Sequence, residues 1–148
     1  MPEVLEAIEK ADLLVLGPGS LYTSVIASLL PRRIREAIAS SRTPLLQVVN
    51  LMTEPGETDG MDAFAHVEAL ARHLGRWPEV VVVQTAPVPA YVRRRYAAEG
   101  QYPVAYDPEP FSRRGIRVLT GDFRVRDSLA QHDPEKLLQA FSRILPRA

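Results

Sequence analysis

The stretch "ADLLVLGPGSLYTS", residues 11–24, is an apolar run that ends in a turn rich in glycine and hydroxyl groups. Residues 12–16 read as a buried strand that is apolar on both faces, which is typical of parallel strands covered by helices. Glycine tolerates turn conformations and proline fixes one torsion, so Gly17, Pro18 and Gly19 end the strand. A helical segment is expected from about residue 20 to residue 29. The stretch therefore predicts a strand, a turn and a helix in succession, as in α/β folds.

The rest of the chain repeats this alternation. Further buried strands are predicted at residues 43–51, 79–85 and 115–123, with a short edge strand at 103–106. Helical patterns occupy the intervening segments: residues 3–10, 31–41, 62–75, 87–100 and 133–145. Asp62 and Asp133 are expected to cap the starts of two of these helices, and Gly75 to end one. Strands alternating with helices of this length predict one α/β domain, residues 1–148, with a mostly parallel sheet.

Composition excludes several classes of protein. Lysine plus arginine and aspartate plus glutamate number 18 each, so no basic surplus exists to attract nucleic acid. No cysteine is present, which excludes disulfides and thiolate metal sites. No apolar stretch approaches the ~20 residues that a membrane helix needs, so no membrane insertion is expected. These features predict a cytoplasmic protein that binds small molecules rather than nucleic acid.

The turn at residues 17–24 is the first candidate site. Its glycines let backbone approach a ligand closely, and the start of the following helix favours an anion such as phosphate. The hydroxyls of Ser20, Thr23 and Ser24 could donate to the same oxygens. The pattern is neither a Walker A loop nor a complete GxGxxG. Spacing alone therefore leaves phosphate binding and a plain strand-to-helix turn as equal alternatives.

The second candidate is "NLMTEPGETDG", residues 50–60, an irregular loop that directly follows a buried strand. It is longer than most connections in α/β units. Its carboxylates could hold Mg²⁺ or accept hydrogen bonds from sugar hydroxyls, and a solvated surface loop is the simpler alternative. Ligands of open parallel sheets lie beyond the carboxyl ends of the strands, so the two candidate loops are expected to converge with the segment 85–93.

The remaining candidates carry less information. Arg93, Arg94 and Arg95 point to different sides of a predicted helix, so at most two could face a phosphate there. His66 and His73 lie seven residues apart, too far for one metal site, and packing or surface positions are expected for both. His132 precedes a helix cap and is assigned no role. No catalytic residue and no metal site emerges from these patterns.

Several of these segments resemble the YvcK/CofD-like family. The resemblance is carried by "ADLLVLGPGSLYTSVIASLL", "REAI", "NLMTEPGETDGMDAFAHVEAL" and "HLG". The "NLMT-PGETDG" run points to the YvcK branch, whose members are called gluconeogenesis factors. The other branch, CofD, contains 2-phospho-L-lactate transferases. Family members are about twice as long and begin with a "GGGTG"-type loop, which is absent here. The resemblance therefore implies the C-terminal half of a three-layer α/β sandwich with a Rossmann-like sheet.

The resemblance implies a UDP-sugar ligand, such as UDP-N-acetylglucosamine, and a regulatory role in carbon metabolism, cell shape and peptidoglycan synthesis. The implied ligand-binding residues are Gly17, Pro18, Gly19, Ser20, Thr23, Asn50, Thr53, Glu57 and Asp59. Without a recognisable nucleophile, a non-catalytic binding protein is favoured. The alternative is a CofD-like transferase of a phospholactyl-type group that depends on Mg²⁺, and no other cofactor is implied. An exposed sheet edge would favour a homo-oligomer.

Overall fold

The computed structural model describes residues 2–126 and 130–145. Four parallel strands form one sheet in the order β1-β2-β3-β4, with β1 Leu14–Leu16, β2 Leu45–Val48, β3 Val80–Gln84 and β4 Arg117–Gly121. The sequence predicted all four strands and their parallel pairing, although each is shorter than its apolar run. The α/β fold is confirmed.

Six α-helices are described: α1 Pro2–Lys10, α2 Arg32–Ser40, α3 Ala63–Leu74, α4 Ala90–Ala97, α5 Glu109–Arg113 and α6 Pro134–Ser142. The helical segment after β1 is irregular, with a π-helical part Leu21–Ile26 followed by a 3₁₀ turn Ala27–Leu29. None of the helices in the described part of the chain is long and apolar enough to cross a bilayer.

The sheet is covered on both faces because side chains of a strand alternate between them. Leu45 and Val49 belong to the face that packs on α1, α2, α3 and α5. Leu46 and Val48 belong to the opposite face, which packs against Leu137 and Ala140 of α6. The layers are therefore helix, sheet and helix. Strand β2 lies inside the sheet and is buried along its whole length.

Three details differ from the sequence prediction. Residues 103–106 form no strand, and Pro103 makes only an isolated bridge with Met52. Pro31 is the N-cap of α2 rather than its first residue. Val15, in the outer strand β1, is 38% exposed instead of buried, because the strands of the described part of the chain give β1 a neighbour on one side alone. The predicted caps are confirmed, since Asp62 accepts from the Ala65 N–H and Asp133 accepts from the N–H groups of Glu135 and Lys136.

Candidate functional site

A cavity of about 630 Å³ opens beyond the carboxyl ends of β1 and β2. Three chain segments and two isolated residues build its wall. The described lining residues are Pro18, Gly19, Ser20, Asn50, Leu51, Met52, Thr53, Glu54, Tyr96, Gln101, Ala130, Gln131 and His132. This is the edge of a parallel sheet where ligands bind in open α/β folds, and the volume lies in the range of small-molecule pockets.

The two candidate loops meet at this cavity through hydrogen bonds between them. Ser20 Oγ donates to Glu54 Oε2 at 2.8 Å. The backbone N–H of Thr23 donates to Glu57 Oε1 at 3.3 Å. A hydrogen bond to a carboxylate is stronger than one between neutral groups, so these contacts fix the turn against the loop. The predicted convergence of residues 17–24 and 50–60 is therefore found.

The loop 50–60 has its own internal order. Asn50 Nδ2 donates to Glu54 Oε1 at 3.2 Å, and the Glu54 N–H donates to Thr58 Oγ1 at 2.8 Å. Asp59 Oδ2 accepts from the Gly56 N–H at 2.6 Å, which closes the turn at the tip. Glu54 therefore receives hydrogen bonds from both Ser20 and Asn50, and its carboxylate is held in one place in the cavity wall.

The site residues implied by the resemblance fall into two groups. Five of them line the cavity: Pro18, Gly19, Ser20, Asn50 and Thr53. The others, Gly17, Thr23, Glu57 and Asp59, lie outside the described lining. Thr23 and Glu57 join the two loops, and Asp59 shapes a turn. Thr53 lines the cavity with its hydroxyl already accepting from the Tyr102 N–H at 3.0 Å.

Gly17 has a structural reason to be glycine. Its φ is +82°, and a Cβ at this position would lie 2.9 Å from the backbone carbonyl oxygen of Val48 on the neighbouring strand. Both features exclude larger residues. The absence of a side chain at Gly17 therefore lets the end of β1 approach the neighbouring strand β2.

The third segment, 85–93, does not join the cavity. Thr85, Val88 and Arg93 line a separate, smaller pocket of about 260 Å³. Arg93, Arg94 and Arg95 are exposed and absent from the described lining of the main cavity. From this part of the chain, Tyr96 of helix α4 and Gln101 after it line the main cavity instead.

Sequence reasoning missed the lining residues that follow β3 and β4. Tyr96, Gln101, Gln131 and His132 lie far along the chain from the two loops, and no local pattern marks them. Nothing in the sequence distinguishes Glu54 from the other carboxylates of the 50–60 loop.

His132 is the most perturbed titratable group described in the cavity. Burial lowers its pKa to about 4, against a smaller opposing effect of a hydrogen bond with the Val49 backbone carbonyl. His132 is therefore neutral at physiological pH. His66, on α3, is 1% exposed, and burial likewise lowers its pKa. His73 is exposed on the same helix, so packing and surface positions account for the pair, as predicted.

The charge of the cavity is unusual for an anion site. Among its described lining residues, Glu54 is the one charged side chain, and neither lysine nor arginine is present. No group of three or more histidine, aspartate or glutamate side chains in the described residues is arranged to hold a metal ion. Mg²⁺ is commonly bound by one or two carboxylates together with substrate phosphates, and Glu54 fits that pattern when a phosphate is also present.

Parallel strands, helices on both faces and a polar cavity at the strand ends define an α/β protein with an open sheet, the class in which that edge of the sheet is the usual place for a ligand. Residues 1–124 match the family described as "2-phospho-L-lactate transferase CofD". The chain belongs to this family.

Relatives with a more specific name were also found. A protein of Deinococcus radiodurans named "Putative gluconeogenesis factor" is 42% identical over 144 residues, which cover 97% of this chain and 30% of the relative. The "Gluconeogenesis factor" of Bacillus subtilis is 33% identical over 139 residues, covering 93% of this chain and 44% of the relative. A crystal structure of a UPF0052-family protein from Bacillus halodurans superposes with a TM-score of 0.91 and 37% identity, over 96% of this chain and 46% of that one. The chain thus spans less than half the length of these relatives.

Proposed function

We propose that the protein is a gluconeogenesis-factor-like protein that binds a UDP-sugar, such as UDP-N-acetylglucosamine, in the cavity between the two loops. The observation that carries this proposal is the pair of contacts that joins Ser20 to Glu54 and Thr23 to Glu57 beside that cavity. These contacts bring the glycine-containing turn and the polar 50–60 loop together beside the same cavity. The names of the relatives support the gluconeogenesis-factor part of the proposal.

The chemistry of the wall suits the uncharged parts of such a ligand. Carboxamides of Asn50, Gln101 and Gln131 both donate and accept hydrogen bonds, as sugar hydroxyls and a uracil ring require. Glu54 accepts only. We propose one of two roles for Glu54. It accepts a hydrogen bond from a sugar hydroxyl, or it shares Mg²⁺ with the diphosphate, because the described lining has no cationic side chain to neutralise the diphosphate charge.

Calorimetric titration tests this proposal. We expect saturable heat with UDP-N-acetylglucosamine and much weaker binding of N-acetylglucosamine alone. Repeating the titration of wild type and Glu54→Gln with and without Mg²⁺ separates the two roles of Glu54. A loss of Mg²⁺ dependence in the variant supports the shared cation, whereas an equal loss with and without Mg²⁺ supports the hydroxyl contact. Absence of binding in every condition would reject the proposal.

A CofD-like transferase is the second candidate, favoured by the family description itself. In this reading Glu54 holds Mg²⁺ on a phospholactyl-type donor, and the protein positions phosphates rather than forming a covalent intermediate. Incubation with such a donor and a deazaflavin acceptor tests it by the appearance of product. Binding of the UDP-sugar without any transfer favours the non-catalytic function.

The relatives' name, gluconeogenesis factor, supports a cellular role in carbon metabolism. We propose that ligand binding regulates carbon metabolism and, through the sugar nucleotide pool, cell shape and peptidoglycan synthesis in the cytoplasm. Complementation of a bacterial strain lacking its own gluconeogenesis factor, grown on gluconeogenic carbon sources, tests this role. A variant that folds but no longer binds the sugar nucleotide is the matched control.

A further inference from the structure

A second pocket, of about 370 Å³, lies beside helix α4, and we call it the α4 groove. Its described lining residues are Ala90, Arg93, Arg94, Ala97, Tyr102 and Pro103. None of them belongs to the described lining of the main cavity. The volume falls within the range of small-molecule pockets, so the groove has room for a ligand of its own.

The spacing of residues along α4 explains why two arginines share this groove. Residues three, four and seven positions apart lie on one face of a helix, and positions 90, 93, 94 and 97 have that spacing. Arg95 lies outside this face and outside the described lining of the groove. Because Ala90 and Ala97 are small, they leave space over the helix between the two guanidinium groups and the segment that faces them.

The two arginines of the groove have no counter-charge. Neither guanidinium forms an ion pair or a hydrogen bond with a residue that the structure describes, and no carboxylate belongs to the described lining. By contrast, Arg32, Arg72 and Arg113 each pair with a glutamate on their own helix. Neighbouring like charges repel each other, so an anion bound between the two guanidinium groups would stabilise both.

The opposite wall of the groove is fixed to the 50–60 loop. The Thr53 N–H donates to the Tyr102 carbonyl at 2.7 Å, and the Tyr102 N–H donates to Thr53 Oγ1 at 3.0 Å. Pro103 forms the isolated bridge with Met52. Although its backbone is held in this way, Tyr102 is 57% exposed. The groove therefore presents an accessible aromatic ring on a fixed backbone beside two cationic side chains.

Arg93 also lines a neighbouring space. Together with Pro103 it belongs to the smaller pocket of about 260 Å³, whose wall includes Thr85 and Ala86 directly after β3. Ligands of open α/β folds lie beyond the carboxyl ends of the strands. The α4 groove is thus on the side of the sheet where a ligand is expected.

We propose that the α4 groove binds a second small molecule, one that carries a phosphate group next to an aromatic ring. Arg93 and Arg94 hold the phosphate, because a guanidinium group can donate two parallel hydrogen bonds to phosphate oxygens. Tyr102 packs against the ring. This second site does not depend on the proposed function, since the UDP-sugar is assigned to the main cavity, whose described lining has no cationic side chain.

Titrations with phenyl phosphate and with inorganic phosphate, followed by nitrogen-15 NMR of backbone amides and arginine Nε–H groups, test the site. We expect saturable shifts in α4 and at Tyr102 with both compounds, and tighter binding of phenyl phosphate. Arg93→Gln and Arg94→Gln should each weaken the binding of both compounds about tenfold. Arg95→Gln is the matched control, because it removes the same charge from an exposed arginine of α4 outside the groove, and it should leave both affinities unchanged.

Tyr102→Ala separates the ring contact from the anion contact. We expect it to weaken the binding of phenyl phosphate about fivefold and to leave inorganic phosphate unaffected. Tyr91→Ala changes a tyrosine of α4 that is 55% exposed and outside the described lining, so neither affinity should change.

Three outcomes would overturn the inference. The first is the absence of saturable shifts in α4. The second is an equal loss of affinity in all three arginine variants, which would mean that net charge attracts the anion. The third is equal affinity of wild type and Tyr102→Ala for phenyl phosphate. The titration with UDP-N-acetylglucosamine tests the main cavity separately, so its failure would reject the proposed function alone.

Discussion

Gly17 and Gly19 stand two residues apart in one turn and meet different surroundings. Gly17 has a positive φ and faces a carbonyl oxygen at 2.9 Å, whereas the nearest atoms to a Cβ on Gly19 are side-chain carbons of Ser24 and Val25 at 3.5 Å. The first position tolerates no side chain, and the second tolerates a small one. The glycine that lines the cavity is thus the less constrained of the two.

We expect Gly17→Ala to lower the free energy of unfolding by about 2–3 kcal/mol, since it combines backbone strain with a close contact. Gly56→Ala is the matched control, because Gly56 has a φ of +76° but nothing within 4 Å of a Cβ. It should cost about 1 kcal/mol, from backbone strain alone. Urea unfolding measures both. Equal losses in the two variants would contradict the role of the Val48 carbonyl.

The second prediction at the scale of residues concerns the Ser20–Glu54 hydrogen bond. Ser20→Ala removes the donor and frees one side of the Glu54 carboxylate, so we expect a loss of about 1 kcal/mol in stability. Affinity for UDP-N-acetylglucosamine should also fall, because Ser20 and Glu54 both line the cavity. Ser24→Ala removes an exposed hydroxyl nearby and should change neither quantity. A Ser20→Ala protein with unchanged stability and affinity would show that this contact does not organise the site.

At this scale the sequence predicted that the two loops meet, but not the other segments of the cavity wall. Ser20 and Asn50 follow apolar strands directly, and parallel strands bring their carboxyl ends to one edge, so their proximity could be inferred. Tyr96 and His132 are brought there by α4 and by the bridge at Arg124. Neither arrangement has a local sequence pattern, because both depend on how segments distant in the chain pack on the sheet.

Helices and strands were more predictable than side-chain contacts. Asp62 and Asp133 were expected as caps from their position before apolar helical patterns, and both accept backbone N–H groups. Helix α5, Glu109–Arg113, was not predicted because one turn of helix has too little periodicity to recognise. The position of the irregular helix after β1 was predictable from the sequence, but its π-helical form was not, because the spacing of residues does not show which backbone groups are hydrogen-bonded.

The caps allow an element-scale test. Asp133→Ala should cost about 1 kcal/mol of stability through loss of the α6 cap. It should also weaken ligand binding, because His132 is the preceding residue. Asp62→Ala removes an equivalent cap on α3, far along the chain from His132, and should cost similar stability without loss of affinity. Thermal unfolding and calorimetry on both variants check this, and an identical pattern in the two would contradict it.

Stability of the whole molecule should depend on pH through its buried histidines. In an unfolded chain a histidine has a pKa near 6.5. Burial lowers the pKa of His132 to about 4 and lowers that of His66 as well. As the pH falls through 6.5, these histidines become protonated in the unfolded state but stay neutral in the folded state. Proton uptake therefore favours the unfolded state, and the free energy of unfolding falls between pH 6.5 and pH 4.

Urea unfolding at a series of pH values between 7.5 and 4.5 measures this effect. His132→Gln should flatten the profile, because glutamine does not titrate. A wild-type stability that stays constant or rises as the pH falls to 5 would contradict the assignment of both rings as neutral.

We expect the outer strand β1 to be the edge at which copies of the molecule pair. Within the described residues it pairs with β2 alone, its three side chains are uncharged, and Val15 is 38% exposed. An apolar edge strand with unpaired backbone groups can pair with the same edge of another chain. The outer strand β4 carries Arg117, whose charge opposes such pairing.

We therefore expect concentration-dependent self-association in sedimentation velocity. Val15→Lys should shift the protein toward monomer without unfolding it, and Thr120→Lys, an exposed position on β4, should not. Monomer at every concentration, or equal behaviour of the two variants, would show that association does not run through β1.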